Sequence, residues 1–546
     1  MRFVRNILET VFLITAALFV VVPTVRLVLG PLSGWSVSPR ASAWALLFSP
    51  GTVAILWRNL LLAVVVTAVA CIVGTLLAAG LARIRPQQLL WIVPLILAPL
   101  LADQLARNYG WYFLLRRDGI INWVAARLAI PGNPFQMLYR LDTVALAIFQ
   151  GLFPLAVLPV FLFLSQKEAR LKTVGMIFGA GWLTIARSVM LPLLVPSILL
   201  AVCFIFTASF GYFITPRMLG GDAGLTIAGL IDQRINLILD WSGATALAGV
   251  LVIACLPFFL LFLYTFAKLE PVSGFSGVPI ISGTRAGWLL RLVILGTIFL
   301  LVVSPLLPVA FASFTKSSSL SFPPDGASAR WYWKVLTDSD WLRSWCISIA
   351  VASISASVTS LLSLGSLAFA SRGRFAATVS LMVGALPLML PPIALAVGLY
   401  RTMVGIGLSN EWARLVAGHV LRGLPFPVLS LLLAWKSIDP AMLKAASIYG
   451  SDRIWSYWKS LGPHFAPALI IGFLLSWLTS FADLEYALFL SGPNTITLPI
   501  RMWGALSYSA EPSVAACAIL TTIIGTVLLF MLVRIVASNS RLFTSQ

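Results

Sequence analysis

Three carboxylates stand inside stretches that are otherwise continuously apolar: Asp103, Asp483 and Glu485, with Asp142 at the edge of another. A charge at the bilayer centre costs about 2.5–3.5 kcal/mol on insertion scales, so such acids ordinarily face a cavity or a partner. The chemistry open to them is binding. A carboxylate pairs with a cation, and an aromatic face such as Tyr212, Tyr109 or Trp111 can add a cation–π contact. Asp103 has a competing use, because Arg107 stands four residues on along one helical face and could simply neutralise it. Asp483 and Glu485 are two residues apart, which on a continuous helix sets them roughly 200° apart. Both can approach one path only if the helix breaks there. Tyr109 and Trp111 fit an interfacial aromatic belt equally well.

No constellation for making or breaking bonds accompanies these residues. The pattern G-x-x-x-x-G-K-[ST] is absent, so nothing cradles phosphates, and ATP hydrolysis would need another chain. His419 and His464 lie far apart without Cys, Asp or Glu at metal spacing, and they read as packing or interfacial residues. The expectation is no enzyme, no metal and no cofactor held by this chain, with any ATP and magnesium on a partner. Cys71, Cys203, Cys255, Cys346 and Cys517 fall in or beside apolar runs with no CxxC spacing and read as packing residues.

The elements that must position these groups are membrane helices. The chain has 546 residues, 60% of them hydrophobic and 10% charged, with mean hydropathy +0.98, which excludes a soluble globule. A hydrocarbon core needs roughly 20 apolar residues per helix. Runs of that kind occur near 7–29, 59–82, 87–106, 142–165, 190–214 and 242–266, and again near 288–310, 344–370, 376–400, 413–435, 464–486 and 512–536. The runs are continuous rather than alternating, which excludes a β-barrel. The first is longer than a signal-peptide core and has no clear A-x-A site after it, so it is expected to remain as a span. The fold class is therefore all-α and polytopic, with about 12 transmembrane helices. The net charge of +19 is scattered at the ends of apolar runs, a topology signal and not a nucleic-acid stripe.

The chain is also duplicated. Gly179 precedes Pro192 by thirteen residues and Gly450 precedes Pro463 by thirteen; Pro196 and Pro467 follow four later, all at one offset of 271. Pro154/Pro425, Ser209/Ser480, Phe210/Phe481, Leu219/Leu490, Gly221/Gly492 and Thr226/Thr497 keep that offset, while Pro94 and Pro99 match Pro387 and Pro392 at 293. Two tandem six-helix repeats follow, residues 1–267 and 286–546, joined by a Gly-, Ser- and Pro-rich linker at 268–285. Asp483 in the second repeat then corresponds to Tyr212 in the first. Each Gly–Pro interlude is polar and basic, offering a docking surface to water. With Arg83, Arg85, Arg372, Arg374 and the interlude Lys and Arg residues inside, both termini are cytoplasmic.

The interludes resemble the cytoplasmic coupling loop of ABC importer permeases, whose pattern is Glu-Ala-Ala, three residues, Gly, nine residues, Ile, one residue, Leu-Pro. Gly179, Val189, Leu191 and Pro192 fit in the first copy, with Thr173, Val174 and Gly175 in place of Glu-Ala-Ala; Ala445, Ala446, Gly450 and Pro463 fit in the second, with Lys444 for Glu. The segments Ala106–Asn122, Ser209–Gly221, Ser321–Trp333 and Ser480–Trp503 are similar to pieces of the two permease subunits of the spermidine/putrescine-like group, which has ferric iron, thiamine and phosphonate relatives. The resemblance covers nearly the whole chain and implies two permease halves fused in one polypeptide. It further implies a bacterial inner-membrane location, coupling loops docked on two copies of a P-loop ATPase, and a periplasmic or lipid-anchored solute-binding protein as donor. The implied function is passage of a small solute, such as a polyamine-like cation, driven by the separate ATPases. Ferric iron, thiamine or a phosphonate are alternatives, and an ion-coupled secondary transporter is a competing class.

Overall fold

The computed structural model describes residues 2–33, 45–82, 84, 86–101, 103–177, 181–268, 285–318, 322–324, 326–438, 454–509 and 511–543. In lipid the backbone has no partner but itself, and the apolar runs are accordingly helical. No strand occurs among the described residues beyond one isolated bridge, Thr315 with Ala327. Among the described residues, ten helices are long and apolar enough to cross a membrane: Arg5–Leu29, Pro50–Leu81, Leu141–Ser165, Arg187–Phe210 and Trp241–Phe266, then Leu292–Ser313, Ser339–Ala370, Glu411–Lys436, Gly462–Phe481 and Ser513–Ile535.

Of the other two expected spans, the one near 376–400 is a bent pair of helices, which would make eleven, and the one near 87–106 holds only a shorter apolar helix, Trp91–Leu100. Near 376–400, Arg374–Met389 and Pro392–Gly405 meet at 110°. Pro392 has no amide hydrogen to continue the ladder, and a residue before proline avoids the α region; Leu390 and Pro391 are both extended. In the first half, Pro86–Leu101 gives way to Gln104–Leu115, whose N-terminus Asp103 caps.

Helix lengths repeat between the halves. Pro50–Leu81 and Ser339–Ala370 are 32 residues each, Pro86–Leu101 and Arg374–Met389 are 16 each, and Ile214–Leu219 and Glu485–Leu490 are 6 each. Five-residue π segments, Ala17–Val21 and Phe299–Val303, interrupt both first spans. The broken spans correct the upstream register: it is 288, not 293, and pairs Pro99 with Pro387, Ala106 with Ala394, Gly110 with Gly398 and Tyr112 with Tyr400. The surplus over 271 falls between the broken span and the next one, where the first half carries the extra helix Ile120–Arg127.

Each first span crosses over to the other half. Ser304–Ser313 packs on Gln104–Leu115, and Val22–Ser33 packs on Pro392–Gly405. The corresponding glycines permit this. A Cβ on Gly110 would lie 1.8 Å from the Pro305 carbonyl oxygen, and one on Gly398 would lie 2.9 Å from Leu27 Cδ1. Farther along, buried Glu9 pairs with Arg372 of the second half and, at 3.4 Å, with Arg5. Residues 269–284, which hold most of the expected linker, lie outside the described residues.

Candidate functional site

Of the first coupling interlude, Thr173, Val174 and Gly175 fall in the helix Pro154–Ile177, and Gly179 lies outside the described residues. Pro192 is exposed at the second position of Leu191–Phe210, directly after a π segment, Ala186–Met190. Proline costs little there, because an N-terminal amide has no intrahelical acceptor. Val189 and Leu191 beside it are also exposed. In the second copy Lys444, Ala445, Ala446 and Gly450 lie outside the described residues, while Pro463 is exposed within Ile454–Phe481.

The intramembrane acids of the second half come together because their helix is broken. Ile454–Phe481 ends, Glu485–Leu490 begins, and Asp483 sits in the gap. Asp483 Oδ2 accepts from the amides of Tyr486 at 2.9 Å and Ala487 at 3.3 Å, satisfying donors that the break would otherwise orphan. Its Oδ1 lies 3.6 Å from Arg422 Nε. Glu485 is buried and interacts electrostatically with the same guanidinium, as does Tyr212 from the first half. Two carboxylates and one guanidinium thus gather beside the broken helix, within electrostatic reach of Tyr212 from the first half. One turn before Arg422, His419 places Nδ1 2.8 Å from Ser480 Oγ.

Arg422 is the residue that sequence reasoning missed. Its signal was an arginine inside an apolar run with no counterpart in the other half, since the position 271 earlier is Gly151. The first half fills that place by another route. Arg107 lays its guanidinium over Gly151, so that a Cβ there would lie 1.9 Å from Nη1.

The other expected path residues are placed elsewhere. Asp103 is buried and accepts from Leu105 N at 2.9 Å; Arg107 is close enough to attract it but forms no ion pair within 4.0 Å. Tyr109 is fully buried where the first half packs on Ser304–Ser313, and Trp111 is buried with Nε1 3.4 Å from Gln150 Oε1. No hydrogen bond or ion pair joins either of them to Arg422, Asp483 or Glu485 among the described residues. Asp142 is exposed and bidentate to Arg140 at the mouth of its span.

No family model matches the chain. Among curated proteins it is similar to the putrescine transport system permease protein PotI of Escherichia coli K12, 26% identical over 261 residues, covering 46% of this chain and 90% of that protein. It is also similar to the spermidine/putrescine permease PotC of the same strain, 26% identical over 245 residues and covering 44% and 92%, and to PotB of Haemophilus influenzae, 24% over 219 residues, covering 40% and 76%. These relatives are permease subunits of ABC importers, and the chain is similar to each over somewhat less than half of its length. It is about twice the length of these relatives, in keeping with two permease halves in one polypeptide. A bacterial ABC transporter for alginate import covers 47% of this chain at 18% identity and a TM-score of 0.36, too low for a shared fold to be read from it. Permeases of this kind are transport subunits that work with ATPase and solute-binding partners.

Proposed function

We propose that this permease carries a small amine-bearing cation of the polyamine type from an external solute-binding protein into the cytoplasm. Two ATPase subunits, holding ATP and magnesium, dock on the interludes around Gly179 and Gly450. The chain lies in a bacterial inner membrane with both termini cytoplasmic, the orientation its short basic loops favour. The observation that carries the solute reading is the excess of carboxylate over guanidinium at the broken helix: Asp483 and Glu485 against Arg422. Broken helices at the junction of repeats are where transporters place their solute and ion sites. The names of the relatives support the same solute class.

The test is uptake of radiolabelled putrescine by cells expressing the permease with its ATPase and binding protein. Asp483→Asn is expected to lower uptake at least tenfold, with basal ATP hydrolysis retained. Unchanged uptake would make Asp483 a helix cap and remove the solute reading.

A further inference from the structure

The first half holds a second polar cluster, one without the carboxylate excess of the first. Gln104, Arg107 and Asn108 lie on one face of the helix Gln104–Leu115, at its N-terminal end, where unpaired backbone amides give a partial positive charge. Arg107 is 7% exposed and Asn108 2%. The Arg107 side chain makes no hydrogen bond among the described residues, and its Nε is buried without a partner. Asp103, the carboxylate that attracts it, is already engaged with the Leu105 amide. Asn108 uses one amide atom on Thr215 Oγ1 at 2.9 Å and leaves the other buried and unpaired; Gln104 Nε2 is buried and unpaired as well. Gly151, opposite, offers no side chain to cover the guanidinium.

A guanidinium whose Nε is shut off from water and which makes no hydrogen bond among the described residues is stabilised by an oxyanion in its fork. The cluster also adjoins the proposed path. Thr215, which donates to Asn108, belongs to the short helix Ile214–Leu219, and Tyr212 just before that helix lies within electrostatic reach of Arg422. By the repeat, Gly151 and Arg422 correspond, so the two guanidinium groups serve equivalent places. One is matched by two carboxylates; the other has Asp103 within electrostatic reach but forms no ion pair with it.

We propose that Gln104, Arg107 and Asn108 form an oxyanion subsite for the solute, so that the transported molecule carries a carboxylate in addition to its amine. The inference rests on the cation reading above and narrows it to a zwitterion: the amine goes to Asp483 and Glu485, the carboxylate to Arg107.

The test is ligand-induced thermal stabilisation of the full chain in detergent, because a ligand bound only to the folded state raises its unfolding midpoint. The probes are 4-aminobutanoate and putrescine, which share a carbon count and differ by a carboxylate for an amine-bearing carbon. The wild type is expected to be stabilised more by 4-aminobutanoate. Arg107→Gln is expected to weaken that ligand about tenfold or more while leaving the putrescine shift, and Arg107→Lys is expected to retain part of it. If Arg107→Gln fails to fold, Gln104→Leu keeps the guanidinium and reads the same subsite through a weaker 4-aminobutanoate shift. An equal 4-aminobutanoate shift in Arg107→Gln, or no shift in the wild type, overturns the inference. A putrescine shift that survives either result and disappears in Asp483→Asn would leave the cation reading standing without it.

Discussion

Arg422→Gln is the substitution with the largest consequence at the junction of the halves. It strands Asp483 and Glu485, 5% and 7% exposed, without the guanidinium that faces both. Removing one partner of a buried ion pair costs about 3–5 kcal/mol, because the remaining charge keeps its desolvation penalty. The Arg422 side chain is itself 31% exposed, so water screens part of the interaction and about 2–3 kcal/mol is the appropriate expectation. Asp483→Asn in the same background removes one stranded charge and preserves a side-chain oxygen to accept the Tyr486 amide. The double variant should therefore recover about 1–2 kcal/mol, the size of coupling expected for contacting residues. Unfolding of the purified chain in mixed micelles by SDS titration, followed by tryptophan fluorescence, measures each corner of the cycle. Arg422→Gln within about 0.5 kcal/mol of wild type, or a double variant no better than the single one, would refute a charge-matched cluster.

Two further outcomes follow from the geometry and the repeat. Gly110→Ala should cost about 1–3 kcal/mol in the same titration, since its Cβ meets the Pro305 carbonyl, a backbone atom, at 1.8 Å; Gly398→Ala meets the Leu27 side chain at 2.9 Å and the Pro23 carbonyl at 3.1 Å, a milder overlap that should cost less, so equal effects would argue against the crossed first spans. Gly450→Pro should leave the chain inserted but abolish both stimulation of ATP hydrolysis by the binding protein and transport, because the joint between two short helices needs a backbone freedom that proline lacks; full transport by this variant would remove the coupling role.

The span pattern was legible because lipid enforces helices wherever roughly twenty apolar residues run together. The repeat was legible because Gly179, Pro192 and Pro196 recur without a gap at Gly450, Pro463 and Pro467. The break beside Asp483 was legible only as a condition for two residues 200° apart to share a site, and the described backbone meets it. The breaks in the third span of each half were not, since hydropathy is blind to a bend between two apolar helices. The upstream register failed for a related reason: Pro94 and Pro99 have the same spacing as Pro387 and Pro392, yet the helix ends pair Pro99 with Pro387. Arg422 escaped notice because its role depends on Asp483 and Glu485 some sixty residues away, a proximity that only the packing of Glu411–Gly423 on Glu485–Leu490 creates.

The central claim is a permease worked by a separate ATPase, and affinity purification of the tagged chain from its own membranes tests it most directly. The account predicts that a P-loop ATPase co-purifies at two copies per chain and that its hydrolysis rises when the solute-binding protein is added. A chain that purifies alone and accumulates solute in ATP-free vesicles under an ion gradient would contradict it.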